Sequence, residues 1–186
     1  MNRKRILIAG LGNIFLGDDA FGVEVIRALV PRPHPPEVSV IDFGIRSYDL
    51  AYALTDGYDA VILVDAAPRG LAPGTVSLIE PEPERLHSLE HEAVDAHTLN
   101  PVAVLQLAGA LGGRTGKIYL VGCEPANLEE SQSGDLGLSA PVQAALPAAV
   151  ELIESLVEKF LARKNPEVNL SSTKTEQKEN YEHVGP

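Results

Sequence analysis

Four short apolar runs, separated by helix-length segments, constrain the fold of this chain more than any other feature of its sequence. Runs of this length, rich in Val, Ile and Leu, are typical of strands buried on both faces of a parallel sheet. They are Arg5–Ala9, Val38–Phe43, Ala60–Val64 and Lys117–Gly122. A further segment, Thr75–Ile79, follows the turn Ala72-Pro73-Gly74 and is predicted to form an edge strand.

Segments of helical character lie between and after these runs. Apolar residues recur every four positions at Phe21, Val25 and Leu29, which predicts a helix. Pro147 is expected to kink or split the last of the helices. The predicted helices are 20–30, 48–54, 101–111 and 141–162. Strands that alternate with helices predict an α/β fold with a mostly parallel sheet.

The length of 186 residues suits one folded domain, which we expect to span residues 1–164. The polar segment 165–186 has too few apolar residues to pack and is predicted to be a disordered tail. The acidic, proline-spaced segment 81–95 is predicted to be an exposed loop. We expect no membrane span, because no stretch is both long enough and free enough of charge, and therefore a cytoplasmic protein.

The formal net charge of −11 makes nucleic acid an unsuitable partner, because such a surface repels phosphate. The single cysteine, Cys123, excludes an intrachain disulfide and fits a reducing compartment.

A glycine-rich motif, GLGNIFLGDDAFG, follows the first predicted strand from Gly10 to Gly22. It invites comparison with the dinucleotide-binding pattern G-x-G-x-x-G, but the third glycine of that pattern falls on Phe15. Asp18 and Asp19 also stand where a helix begins, and their charges would repel a pyrophosphate. The motif therefore disfavours nucleotide binding.

Both aspartates of this motif are suited to capping the helix that follows them. One carboxylate would suffice for that role, so we assign the cap to Asp18. For Asp19 the local pattern leaves two interpretations open, a second cap or a functional carboxylate.

Asp65 and His97 stand at comparable positions, the first at the end of a central strand and the second just before a helix. In open α/β sheets, ligands bind beyond the carboxyl ends of the strands. Asp19, Asp65 and His97 could converge there, and two carboxylates with an imidazole make a partial shell for a borderline divalent metal. A turn cap at Asp65 and a structural histidine are the simpler alternatives.

Two further motifs suggest other peptidases. His87, Glu90 and His91 match the H-x-x-E-H pattern of inverted zinc peptidases, but the match is short and we favour a solvated loop. Cys123 paired with His97 would make a cysteine peptidase, but no local signature supports it and we favour a buried structural cysteine.

Several separated motifs follow one another along the chain. They are GLGN at 10–13, GDD at 17–19 with Gly22, Asp42 with Gly44, LVDA at 63–66, PGT at 73–75, the segment around His97, VGCEP at 121–125 and GLSAPV from 137. Taken in order, these motifs resemble those of the hydrogenase maturation endopeptidase family, and the order and spacing hold from about Arg5 to Leu161. Ala20 and Ile45-Arg46-Ser47 depart from the usual family residues without touching the ligand positions.

This resemblance implies a three-layer α/β sandwich, with a twisted, mostly parallel five-stranded sheet flanked by helices. It implies that Asp19, Asp65 and His97 contact a metal and that Asp19 and Asp65 are catalytic. The implied activity is an aspartic-type or metal-assisted endopeptidase. The implied partner is the precursor of the nickel–iron hydrogenase large subunit, cut near its C-terminus after nickel insertion. Nickel would be recognised on that substrate, with no tightly held cofactor of the enzyme's own.

Two functions of other classes stay open from the sequence. A non-catalytic nickel-sensing maturation chaperone would share the same three ligands. A nucleotide-binding oxidoreductase is disfavoured by Phe15 and the acidic pair.

Overall fold

The computed structural model describes residues 4–80, 101–113, 116–128 and 137–162. Within these ranges the chain alternates strands and helices as its apolar pattern predicts. A short 3₁₀ helix, Gly17–Ala20, precedes the first α-helix. The strands and helices, in chain order, are β1 Ile6–Leu11, α1 Phe21–Leu29, β2 Val38–Gly44, α2 Ser47–Leu54, β3 Ala60–Ala66, β4 Val76–Ile79, α3 Pro101–Ala110, β5 Lys117–Cys123 and α4 Ala140–Ala162.

The strands form one five-stranded sheet in the order β2-β1-β3-β5-β4. The first four are parallel, and β4 pairs with β5 in the antiparallel direction at the edge. The predicted mostly parallel sheet and the edge position of Thr75–Ile79 are therefore confirmed. All four parallel strands end on the same side, where the loops that carry the candidate residues begin.

Helices cover both faces of the sheet, because successive side chains of a strand point to opposite faces. Ile6 and Ile8 of β1 belong to a core with α1 and α4. Leu7 and Ala9 belong to a second core with α2 and α3. The predicted three-layer arrangement is thus confirmed.

Pro147 was expected to kink or split the last helix. Helix α4 runs from Ala140 to Ala162 with Pro147 inside it, so the proline does not split the helix. The proline removes one backbone N–H, but packing of side chains such as Val150 and Ile153 in the core holds the helix on either side of it.

Helix α4 also corrects the expectation about membrane spans. Among the described residues, this one helix of 23 residues, which contains an 18-residue window with a mean hydropathy of 1.3, is long and apolar enough to cross a membrane by length and composition. Its fully buried side chains, including Val142 and Ile153, belong to the core against the sheet. Core packing therefore accounts for the apolar residues on the side of the helix that faces the sheet.

Several predictions fall outside the described residues. These are the loop at 81–95, the histidines at 87, 91 and 97, the tail from residue 165 and the domain boundary at 164.

Candidate active site

Two glycines bring the start of α1 against the ends of the central strands. A Cβ at Gly22 would lie 2.1 Å from the carbonyl oxygen of Val64 and 2.3 Å from that of Leu11. A Cβ at Gly12, whose φ is +121°, would lie 1.7 Å from the carbonyl oxygen of Asp19. Only glycine allows these approaches. The space beside the G-x-G turn is therefore filled by the protein's own backbone, which argues against a bound pyrophosphate there.

The sequence suggested that Asp18 caps the helix that follows it, but the structure shows a different role. Its side chain makes no capping bond within the 3₁₀ helix and is fully buried. The carboxylate accepts hydrogen bonds from the backbone N–H groups of Ala126 (2.7 Å), Asn127 (3.0 Å) and Ser139 (2.6 Å), and from the Ser139 hydroxyl (2.9 Å). Burial acts to raise the pKa of Asp18, but these bonds to the ionised form outweigh it and lower the pKa.

Glu124 is a second buried, fully bonded carboxylate, and sequence reasoning gave it no role. It accepts hydrogen bonds from the backbone N–H groups of Arg69 (2.7 Å) and Gly70 (3.1 Å), in the loop that follows β3. Burial opposes ionisation, yet bonds from these amides and from Leu71 lower the pKa of Glu124. This carboxylate therefore anchors the loop just beyond Asp65.

Asp19 is in a different electrostatic situation from its neighbour. Its carboxylate accepts a 2.6 Å hydrogen bond from the backbone N–H of Asn13. Burial nevertheless dominates and raises the pKa of Asp19. The hydrogen bond from Asn13 is thus too weak to offset the effect of burial on the ionised carboxylate.

Asp65 is almost completely buried, and its pKa is raised to about 8. Burial is the largest cause of this shift and the negative charge of Asp19 adds to it, while a bond from the backbone of Ala66 opposes it. The predicted end of the strand at Asp65 was one residue early, because β3 continues to Ala66 and Asp65 pairs with Gly122 of β5.

The pKa values therefore divide the acids at this sheet edge into two pairs. Asp18 and Glu124 have lowered pKa values because backbone donors satisfy them. Asp19 and Asp65 have raised pKa values because they are buried and, at Asp65, because the two charges repel. Acids with raised pKa values at one sheet edge are candidates for functional positions, since a structural role favours satisfied carboxylates.

Cys123 is not suited to nucleophilic catalysis. It is fully buried, and burial together with the charges of Asp18 and Glu124 raises its pKa to about 11. A thiol with this pKa is protonated at neutral pH and is a weak nucleophile. The structural interpretation of Cys123 is confirmed.

A groove of about 280 Å³ opens beside the Asn13 backbone that binds Asp19. Its apolar lining is partly exposed, most clearly at Phe15 (59 %) and Ile45 (64 %). The Arg46 guanidinium fixes one wall by donating to the carbonyl oxygens of Asp42 and Phe43. The groove is lined by Gly12, Asn13, Ile14, Phe15, Val23, Arg27, Asp42, Phe43, Gly44, Ile45 and Arg46.

Two of the three predicted metal ligands lie in the described part of the chain, and the third does not. Asp19 and Asp65 interact electrostatically at one edge of the sheet, whereas His97 lies outside the described residues. Among the residues described, no group of three potential ligands is arranged to hold a metal ion. The two repelling carboxylates suit a cation, because a positive charge between them would offset their repulsion.

Comparison with known proteins identifies the family of this chain. The family model for hydrogenase maturation proteases matches residues 23–156. The hydrogenase 2 maturation protease of Escherichia coli is 32 % identical over 151 residues, which cover 80 % of this chain and 88 % of that protein.

Solved structures give the same result. The hydrogenase maturating endopeptidase HybD of E. coli superposes with a TM-score of 0.70 at 30 % identity, over 84 % of this chain and 93 % of that one. The maturation protease HycI of Thermococcus kodakarensis superposes with a TM-score of 0.61 at 28 % identity, over 83 % and 93 %. The chain belongs to the hydrogenase maturation protease family, and its fold and family are those of an endopeptidase.

Proposed function

We propose that this protease removes the C-terminal extension of the nickel-loaded precursor of a nickel–iron hydrogenase large subunit. Asp19 and Asp65 are the catalytic pair, and His97 completes a three-residue contact with the nickel of the substrate. The reaction takes place in the cytoplasm, a compartment that the lone, reduced Cys123 suits.

One observation carries this proposal, the electrostatic coupling of Asp19 and Asp65 at the carboxyl ends of the central strands. Asp65 gains a pKa of about 8 from burial and from the charge of Asp19. Such a pair is unfavourable without a counter-charge, so it favours binding of a cation-bearing substrate. An aspartic-type dyad, in which Asp19 and Asp65 share a proton, would also use this coupling. The cation-assisted mechanism needs nickel on the substrate, whereas the proton-sharing dyad does not.

The residues of the site suggest how the chain would act on a peptide. Without substrate, Asp65 holds a proton near neutral pH because its pKa is about 8. A bound cation favours the ionised form, so Asp65 would release that proton when the nickel-loaded precursor docks. Either carboxylate of the pair could then accept a proton from the water that attacks the scissile carbonyl and return it to the amine nitrogen as the C–N bond breaks. The Asn13 N–H holds one oxygen of the Asp19 carboxylate by a 2.6 Å hydrogen bond.

The groove gives the extension a place to bind. It begins at Asn13, whose backbone also contacts Asp19, and it presents exposed apolar side chains at Phe15 and Ile45. A peptide segment laid in the groove would bury these side chains and bring its backbone toward the acidic pair.

The experiment is cleavage of purified precursor, loaded with nickel or free of it, followed by mass measurement of the products. We expect one shortened product from the nickel-loaded precursor and none when Asp19→Asn or Asp65→Asn replaces the wild type. Binding of the precursor without any cleavage would instead favour the nickel-sensing chaperone. Cleavage by both asparagine variants at the wild-type rate would contradict the assigned pair.

A further inference from the structure

Asp18 and Asp19 are neighbours in the chain but make entirely different contacts. Asp18 joins three segments, the 3₁₀ helix 17–20, the loop after β5 and the start of α4, through bonds to residues 108 to 121 positions away. Its backbone N–H also donates to the carbonyl of Asn127 at 3.0 Å. Side chain and main chain of Asp18 are therefore fixed together.

The carboxylate of Asp19 has much less support. It accepts the Asn13 N–H, so its place also depends on where the main chain of the 3₁₀ helix lies. That main chain is held one residue earlier by the contacts of Asp18. We propose that Asp18 is a positioning residue for Asp19, which sets the location of the catalytic carboxylate without touching substrate.

An isosteric amide at residue 18 would disturb this arrangement without removing volume. Both carboxylate oxygens of Asp18 accept N–H donors, since Oδ1 receives Ser139 and Oδ2 receives Ala126 and Asn127. In Asp18→Asn one of these oxygens becomes an NH₂ group that faces a donor, so at least one contact turns repulsive. The 3₁₀ helix would shift, and Asp19 with it.

The first test needs no substrate and reads the Asp19 position directly. The Asn13 amide donates a short 2.6 Å bond to Asp19, so its proton resonance should lie downfield in the wild type. In Asp18→Asn we expect that resonance to move upfield and its hydrogen exchange to accelerate about tenfold or more. An unchanged Asn13 amide in a folded variant would overturn the proposal.

The second test measures cleavage and rests on the proposed function. Asp18 does not line the groove, so substrate binding should persist while alignment is lost. We expect kcat per folded molecule to fall about 10- to 100-fold in Asp18→Asn, with KM within about twofold of the wild type. Equal kcat in the folded variant would overturn the proposal. A wild type that does not cleave would refute the proposed function, and the Asn13 measurement would still decide the role of Asp18.

Two variants guard against a trivial loss of stability. Ile153→Val destabilises the core within α4, away from the site, and should leave the Asn13 amide and kcat per folded molecule unchanged. Ser139→Ala removes the hydroxyl bond to Asp18 and keeps the backbone donors, so it should reproduce the amide shift and the kcat loss in smaller measure. If Asp18→Asn does not fold, Ser139→Ala decides, and a Ser139→Ala protein identical to the wild type in both measurements would overturn the proposal.

Discussion

The negative charge of Asp19 raises the pKa of Asp65, adding to the larger effect of burial and bringing that pKa to about 8. The two acids are therefore reluctant to be ionised together in the free protein. Asp18 and Glu124, at the same edge of the sheet, are stabilised in the ionised form by backbone donors. A bound cation would offset the repulsion between Asp19 and Asp65, whereas backbone donors already satisfy Asp18 and Glu124. We therefore propose Asp19 and Asp65 as the catalytic pair.

The raised pKa of Asp65 predicts a pH-dependent cost to stability. Because the pKa of Asp65 rises from 3.8 to about 8 on folding, this group does not reduce the free energy of unfolding below about pH 4. As the pH rises from there toward 8, the free energy of unfolding falls, because the folded protein must give up a proton that it binds more tightly than the unfolded chain does. Asp65→Asn should therefore be more stable than the wild type at pH 9, by at most on the order of 5 kcal/mol, with the difference vanishing near pH 4. Urea denaturation of both proteins across this range measures it, and parallel stability curves would contradict the prediction.

The coupling itself can be tested by removing only the charge of Asp19. In Asp19→Asn the pKa of Asp65 should fall, because one of the two causes that raise it is lost while burial persists. Titration of the carboxyl carbon resonance of Asp65 measures the change. A pKa of Asp65 that is the same in both proteins would mean that the two side chains do not interact.

Close packing at Gly22 predicts a large effect from one added methyl group. In Gly22→Ala the new Cβ would overlap the carbonyl oxygens of Val64 and Leu11, so α1 must move away from the sheet edge. We expect a loss of about 1–3 kcal/mol in stability and a larger fractional loss of activity, because Asp19 precedes this helix.

Gly109→Ala is the matched control for this substitution. Gly109 lies within α3, and a Cβ there would meet nothing within 4 Å. Its stability should be unchanged or about 1 kcal/mol higher, since alanine favours helix. Thermal denaturation and cleavage rates compare the two variants, and equal behaviour would refute the packing argument.

Exposed apolar side chains of the groove predict an effect on substrate binding alone. Phe15→Ser should raise KM for the precursor about tenfold with kcat nearly unchanged, because the side chain is largely exposed in the free enzyme and would be buried by the substrate. Val30→Ser, an equally exposed residue just after the far end of α1, should alter neither constant. A wild-type KM for Phe15→Ser would place the extension elsewhere.

Local sequence patterns were sufficient for most of the fold and for part of the site. The apolar run from Ala60 to Val64 indicates a buried strand, and the four-residue repeat at Phe21, Val25 and Leu29 indicates a helix; the structure has both. The strand end at Asp65 was harder to predict, because the neighbouring β5 continues and pairs with residues 65 and 66.

The errors concern contacts between distant residues. Asp18 has the local appearance of a helix cap, but its partners lie more than a hundred residues later, which no local pattern reveals. Glu124 was noticed only as part of VGCEP, and its role depends on amides at the end of another strand. The sequence disfavoured a phosphate loop at the G-x-G turn because of Phe15 and the acidic pair, but it could not show that backbone packed against Gly12 and Gly22 fills that space.

The proposed nickel contact predicts that cleavage depends on nickel in the precursor and on His97. If nickel on the substrate is held by Asp19, Asp65 and His97, nickel-free precursor should resist cleavage even at high enzyme concentration. His97→Ala should lose most activity, because removal of one of three contacts weakens both the grip on the ion and the placement of the peptide. Mass measurement of the product over time gives these rates.

The matched control is His87→Ala combined with His91→Ala, which removes the only other histidines of the same segment. We expect it to change cleavage little, because the H-x-x-E-H match is short and no other sequence feature supports a zinc site. If His87 and His91 were essential and His97 dispensable, a zinc-peptidase site would replace the nickel contact. Equal cleavage of nickel-free and nickel-loaded precursor would remove nickel recognition from the mechanism and leave Asp19 and Asp65 to act as a proton-sharing pair.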